Sequence, residues 1–187
     1  APTVVTGLSS SSIDHDSITL SWTGADGATD YYISEPNLTT EIVQGTSKTF
    51  DGLDPNTTYN FTITSYNGTL VGGNVSTGNI ITAPGVVIGF NYTNLTSTSV
   101  DLSWSAPTNG ASTYDIIYGA TTINITGTSK TISGLQPGNN YNFQLKALNS
   151  NGLSGVAASI NNVVPPPEAV TGLTSSGIDH DSITLSW

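Results

Sequence analysis

APTVVTGLSSSSIDHDSITLSW, residues 1–22, returns as PPEAVTGLTSSGIDHDSITLSW at residues 166–187, nearly identical from Val5 and Val170 onward. Those two valines stand 165 positions apart. A shorter echo lies inside that period. GTSKTFDGL at 45–53 matches GTSKTISGL at 127–135, and Trp22 matches Trp104, each 82 positions on. Self-similarity at a fixed spacing marks an array of repeated blocks, and blocks of this length can fold alone. The expected organisation is a first domain at 1–83, a second at 84–165, and at 166–187 the first two strands of a third that repeats 1–22.

Within each block the apolar residues alternate with polar ones: Ile18, Leu20 and Trp22, then Tyr59, Phe61 and Ile63. The second block repeats this with Val100, Leu102 and Trp104, then Tyr141, Phe143 and Leu145. Period two makes half-buried strands, because successive side chains of a strand point to opposite faces. Asp51-Gly52, Asp54-Pro55-Asn56, Asn67-Gly68, Asn109-Gly110 and Asn151-Gly152 punctuate the runs with residues suited to tight turns. The pattern predicts an all-β chain of about seven short strands per block, arranged as tandem sandwiches. Proline ends strands at Ile81-Thr82-Ala83-Pro84 and at Val164-Pro165-Pro166-Pro167, and the triple proline favours a stiff, extended joint.

In each block a strand closing on Trp22 or Trp104 precedes a tyrosine-rich strand (Tyr31, Tyr32, Ile33; Tyr114, Ile116, Tyr118). The pattern Leu-x-Pro-x-x-x-Tyr-x-Phe then follows, at Leu53, Pro55, Tyr59, Phe61 and at Leu135, Pro137, Tyr141, Phe143. This combination resembles the fibronectin type III domain. The resemblance implies a β-sandwich with the tryptophan between the sheets and Tyr59 and Tyr141 as tyrosine corners whose hydroxyls bond back to the preceding loop. It also implies that residues 166–187 hold strands A and B of a third, incomplete domain.

Composition narrows the function. Charged residues are 9% of the chain, against roughly 25% in ordinary soluble domains, while Ser and Thr number 53 and Asn 17. With 13 acidic residues against 3 lysines the formal charge is −10, which repels phosphate backbones and anionic membranes, so nucleic-acid binding is excluded. No apolar run approaches the roughly 20 residues of a membrane span, so no membrane insertion is expected. The N-terminal Ala-Pro-Thr-Val-Val has neither the basic nor the apolar region of a signal peptide and reads as mature or internal sequence. There is no cysteine to staple the fold.

Eight Asn-x-Ser/Thr triplets, at Asn37, Asn56, Asn60, Asn67, Asn74, Asn91, Asn94 and Asn124, suit N-linked glycans, although a chain so rich in these residues also makes such triplets by chance. Asp14-His15-Asp16 recurs as Asp179-His180-Asp181, whereas the middle block has Thr96-Ser97-Thr98 there. Asp14, Asp16, Asp179 and Asp181 offer oxygen ligands of the kind calcium takes, but the histidine does not suit it, and a solvated turn is the preferred reading. Lys48 and Lys130 hold equivalent inward-leaning positions. They fit protection of an edge strand better than an isopeptide crosslink.

No metal or other cofactor beyond such glycans is expected, and no enzyme, since no nucleophile or phosphate-loop motif is present. The F–G turns, Tyr66-Asn67-Gly68-Thr69 and Leu148-Asn149-Ser150-Asn151-Gly152, carry no Arg-Gly-Asp. The expected role is a structural repeat segment of an extracellular fibre, surface appendage or adhesin stalk, glycosylated, with neighbouring repeats and other copies in a fibre as its partners. The alternative is a spacer or carbohydrate-contacting module of a secreted polysaccharide-degrading enzyme. In that case Tyr31 or Tyr32, Tyr66 and Tyr92 are the candidate sugar platforms.

Overall fold

A computed structural model describes residues 1–187, an all-β chain without helices. The first domain contains β1 (Thr6–Ser11), β2 (Ser17–Thr23), β3 (Asp30–Ser34), β4 (Glu41–Val43), β5 (Ser47–Asp51), β6 (Thr58–Tyr59), β7 (Thr62–Tyr66), β8 (Val71–Ser76) and β9 (Ile80–Ile81). The second contains β10 (Ile88–Thr93), β11 (Ser99–Ser105), β12 (Thr113–Tyr118), β13 (Thr121–Ile125), β14 (Ser129–Ser133), β15 (Tyr141–Leu148) and β16 (Ala158–Val163). Beyond them β17 (Thr174–Ser176) and β18 (Thr184–Ser186) form a hairpin.

Each domain sets a three-stranded sheet, β1-β2-β5 or β10-β11-β14, against a four-stranded one, β4-β3-β7-β8 or β13-β12-β15-β16. The alternation seen in the sequence becomes burial: in β2 the side chains of Ile18, Leu20 and Trp22 are buried between the sheets, and in β11 those of Val100, Leu102 and Trp104. Trp22 meets Tyr31 edge-on with ring centroids 5.4 Å apart, and Trp104 meets Tyr114 at the same distance. Both indole Nε1 atoms are buried without an acceptor. Leaving that donor unpaired costs on the order of 1–3 kcal/mol, less than the roughly 5 kcal/mol returned by burying an indole. The two cores share no residue.

The tyrosine corners form as the resemblance implies. The backbone N–H of Asp54 donates to the Tyr59 hydroxyl at 2.8 Å, and that of Gln136 to the Tyr141 hydroxyl at 2.9 Å. Each first strand bulges at a glycine in the left-handed region, Gly7 (φ 61°) and Gly89 (φ 65°), where register shifts against the next strand. The last strand of each domain, β8 with β9 in the first and β16 in the second, is built differently. In the first, Thr77 interrupts it, its N–H donating to the Phe61 carbonyl and its hydroxyl accepting from the Phe61 N–H, which splits one ladder into β6-β9 and β7-β8. In the second, Asn162 absorbs the same irregularity and β15-β16 stays continuous.

The β17-β18 hairpin pairs Thr174 with Ser186 and Ser176 with Thr184, the register of Ser9 with Ser21 and Ser11 with Thr19. Nothing packs on it: Trp187 is 76% exposed, where Trp22 is 6% exposed.

Candidate functional site

Two surfaces stand out, the joint between the complete domains and the outer face of the first four-stranded sheet. The joint begins with Thr82, Ala83 and Pro84, all buried. Thr82 is tied to the first domain through its N–H to the Thr57 carbonyl (3.0 Å) and its hydroxyl to the Asp54 carbonyl (2.7 Å). Ala83 donates to the Asp14 carbonyl at 3.0 Å and accepts from the Asn56 N–H at 3.0 Å, so the linker lies between the β1–β2 and β5–β6 loops of the first domain.

Three asparagine side chains then bridge to the second domain. Asn56 donates through Nδ2 to the Asn109 carbonyl at 2.8 Å, and Asn109 donates through its own Nδ2 to the Pro55 carbonyl at 3.0 Å. Asn149 donates to the Thr82 carbonyl at 3.2 Å, while its Oδ1 accepts from the N–H groups of Asn151 and Leu153 to shape the F–G turn. Gly155 lies so close that a Cβ on it would sit 2.0 Å from the Pro84 carbonyl oxygen. Pro2 approaches Gly72 in the first domain in the same way, with a Cβ there 2.6 Å from the Pro2 carbonyl oxygen. Beside the contact a cleft of about 430 Å³ opens among His15, Pro55, Gly85, Val86, Ile88, Thr108 and Val156.

Of the three bridging asparagines the sequence singled out only Asn56 as a candidate site, and for a different role. Asn109 and Asn149 carried a turn signal and nothing that tells a turn facing water from one facing another domain. The eight candidate glycan sites fall into groups accordingly. The nitrogen that would carry the sugar on Asn56 donates across the joint. Asn94 donates to Asp101 at 2.8 Å and Asn124 to Asp115 at 2.7 Å. Asn37, Asn60, Asn74 and Asn91 are exposed, and Asn67 is half-buried with its Oδ1 accepting from Thr69 and Leu70.

The Asp14-His15-Asp16 loop lies at the pole of the first domain that faces the second. Asp14 Oδ1 stands 3.1 Å and Asp16 Oδ1 3.7 Å from His15 Nδ1, so a nitrogen occupies the space where a hard cation would need oxygen. The His15 ring, then its N–H, hold the Asp14 carboxyl below the usual carboxylate range. In the hairpin copy Asp179 is lowered in the same direction, first by the His180 N–H. Asp181 lies 3.7 Å from the other ring nitrogen of His180. No group of three or more His, Cys, Asp or Glu side chains forms a metal-binding cluster. Lys48 reaches from β5, the edge of its sheet, to the Glu41 carboxylate on β4 of the facing sheet, while Lys130 is exposed.

Among the candidate sugar platforms, Tyr31 belongs to the core, its hydroxyl accepting from the Ala25 N–H at 3.0 Å. Tyr32 and Tyr66 point outward from β3 and β7 and pack on each other, centroids 4.8 Å apart and tilted by 48°. Loss of solvent, then the neighbouring Tyr66, raise the Tyr32 hydroxyl above the usual tyrosine value. Ile42 pairs with Tyr32 from β4 and Val71 with Tyr66 from β8, both largely exposed, so an apolar stripe crosses the whole sheet. Tyr92 stands apart on β10.

A family model for the fibronectin type III domain matches residues 1–77 and 82–162. Chitinase A1 of Niallia circulans is 32% identical over all of this chain, which spans 28% of that enzyme. The human receptor-type tyrosine-protein phosphatase H is 29% identical, again over the whole chain and 18% of its own length. A solved two-domain fibronectin type III segment of chicken tenascin shares the fold at a TM-score of 0.51 and 19% identity, over 84% of this chain and 99% of that one. With two domain matches in tandem and a tyrosine corner in each, this chain belongs to the fibronectin type III family.

Proposed function

We propose that the chain is a structural segment of an extracellular or cell-surface array: a rod of tandem sandwiches in a fibre, appendage or adhesin stalk, carrying N-linked glycans. The observation that carries this reading is the joint. A flexible tether needs no side chains from both domains. Here Asn56, Asn109 and Asn149 bridge them. Several directional bonds across one contact hold a single orientation, which is what transmits stiffness along an array of nearest neighbours. Exposed asparagines and hydroxyls on a chain with 9% charged residues fit a glycan-covered surface. The names of the relatives, a chitinase and a receptor, support a place outside the cell.

Solution scattering combined with residual dipolar couplings tests the rod. The two domains are expected to report one common alignment frame, and Asn56→Ala together with Asn109→Ala to give each domain its own. Independent alignment of the domains in the unaltered chain would overturn the proposal.

Identity to a chitinase over the full chain supports a second reading, a spacer or carbohydrate-contacting module beside a catalytic domain. Retention on insoluble chitin or cellulose, lost on Tyr32→Ser or Tyr66→Ser, would favour it. Absence of retention removes the carbohydrate-contacting form.

A further inference from the structure

The apolar stripe on the first domain shares its sheet face with two glycan acceptors whose nitrogens donate no hydrogen bond, Asn60, whose Oδ1 accepts from Ser76, and Asn74, which lies nearer the rings. Asn74 on β8 pairs with Thr64 on β7, and Thr64 pairs with Tyr32 on β3, so Asn74, Thr64 and Tyr32 form one outward row. Tyr66 and Val71 form the adjacent pair toward the F–G turn, with a bulge in β8 between Val71 and Asn74. Neighbouring strands lie roughly 5 Å apart, so along this row Asn74 stands about two strand spacings from Tyr32, with the β7 backbone that carries Tyr66 between them. Asn74 is exposed, and Gly72 and Gly73 beside it present no side chain between it and the rings.

The second domain supplies the contrast. Its corresponding face has no aromatic pair, and its one acceptor there, Asn124, has its nitrogen committed to Asp115 at 2.7 Å and Thr113 at 3.2 Å. Aromatic rings and a free acceptor occur together on one face and are both missing from the other.

We propose that the Tyr32–Tyr66 pair is the seat of the first pyranose of a glycan on Asn74. A pyranose has one face made of C–H groups, and laying it on the rings removes apolar surface of both from water while its hydroxyls stay solvated. Attachment is a substitution: Asn74 Nδ2 bonds to the anomeric carbon of an oligosaccharide carried on a lipid phosphate. The bond from that carbon to the phosphate oxygen breaks, and the amide gives up one proton. The occupied face is then shielded from lateral association by a polar cover.

This rests on the glycosylated reading above, and the test separates the two. The full chain is secreted from cells that modify Asn-x-Ser/Thr, and Asn74 occupancy is read by peptide mass mapping. Thermal midpoints are then compared for the chain, for Ser76→Ala, which removes the acceptor triplet, for Tyr32→Thr with Tyr66→Thr, and for the combination. The glycan is expected to raise the first domain's midpoint by about 2–4 °C when the tyrosines are present and not when they are replaced. Sugar ring protons of the Asn74 glycan are expected to shift upfield only with the tyrosines present. An unoccupied Asn74 overturns both the proposal and the glycosylated reading of that site. Occupancy with no coupling to the tyrosines overturns the seat alone. Tyrosine-dependent retention of the unglycosylated chain on an insoluble polysaccharide assigns the pair to a foreign sugar and also overturns it.

Discussion

The two four-stranded sheets of this molecule bury nearly the same residues and expose different ones. Inward, Tyr31, Ile33, Phe61 and Ile63 in the first domain correspond to Tyr114, Ile116, Phe143 and Leu145 in the second. Outward, the first sheet carries the Ile42–Tyr32–Tyr66–Val71 stripe, with Ile42 62% and Val71 60% exposed. The second carries Asp115 opposite Lys146 and Ile117 between Thr122 and Gln144. The inner face must fill a shared volume with matched shapes, so two copies of one fold diverge there only slowly. The outer face is free of that constraint, and specialisation shows there.

Replacing the tryptophans tests whether the two copies are energetically separate. Trp22→Ala and Trp104→Ala each empty an indole-sized space, costing about 3–5 kcal/mol, and calorimetry should show only the altered domain melting early. Loss of both domains together would mean that the joint couples their unfolding as well as their orientation.

The corners differ more finely. Tyr59→Phe and Tyr141→Phe leave the Asp54 and Gln136 N–H groups without their acceptor, for about 1–3 kcal/mol where the donor stays dry. Tyr59 is buried and Tyr141 half-buried, so denaturant titration is expected to show the larger loss in the first domain. Equal losses would mean that water reaches both corners alike.

The smallest contrast is in acid. On β11, Asp101 accepts from the Thr131 hydroxyl at 2.6 Å and from Asn94 at 2.8 Å, which hold its carboxyl below the usual range, Thr131 first. On β2, Thr19 stands in that place and meets Thr49 at 2.9 Å. A depressed carboxyl stabilises the fold above its unfolded-state pKa, and that contribution is lost as pH falls through the folded-state value. Below the usual carboxylate range the second domain should therefore lose a slight increment of stability that Asp101→Thr abolishes. An unchanged pH profile in Asp101→Thr would show that the contacts do not perturb the group in solution.

The strands were legible because period-two runs such as Ile18-x-Leu20-x-Trp22 have only one way to bury their apolar side. The corners were legible because Leu-x-Pro-x-x-x-Tyr is a local pattern. The joint was not. Asn56, Asn109 and Asn149 look like any turn asparagine, and their partners lie 53, 54 and 67 residues away in the chain. The tyrosine stripe was half legible. Tyr32 and Tyr66 were picked out as aromatics, but nothing local says that they touch each other, or that Tyr31 turns inward.

Repetition, alternation and composition are properties of neighbours along the chain, and they were enough to establish tandem sandwiches and a polar, sparsely charged surface of net negative sign. Which asparagine bridges two domains, which stays free for modification, and which tyrosines share a face depend on strand register and on how one domain meets the next. Those are long-range arrangements, decided by packing between segments that a local pattern does not connect.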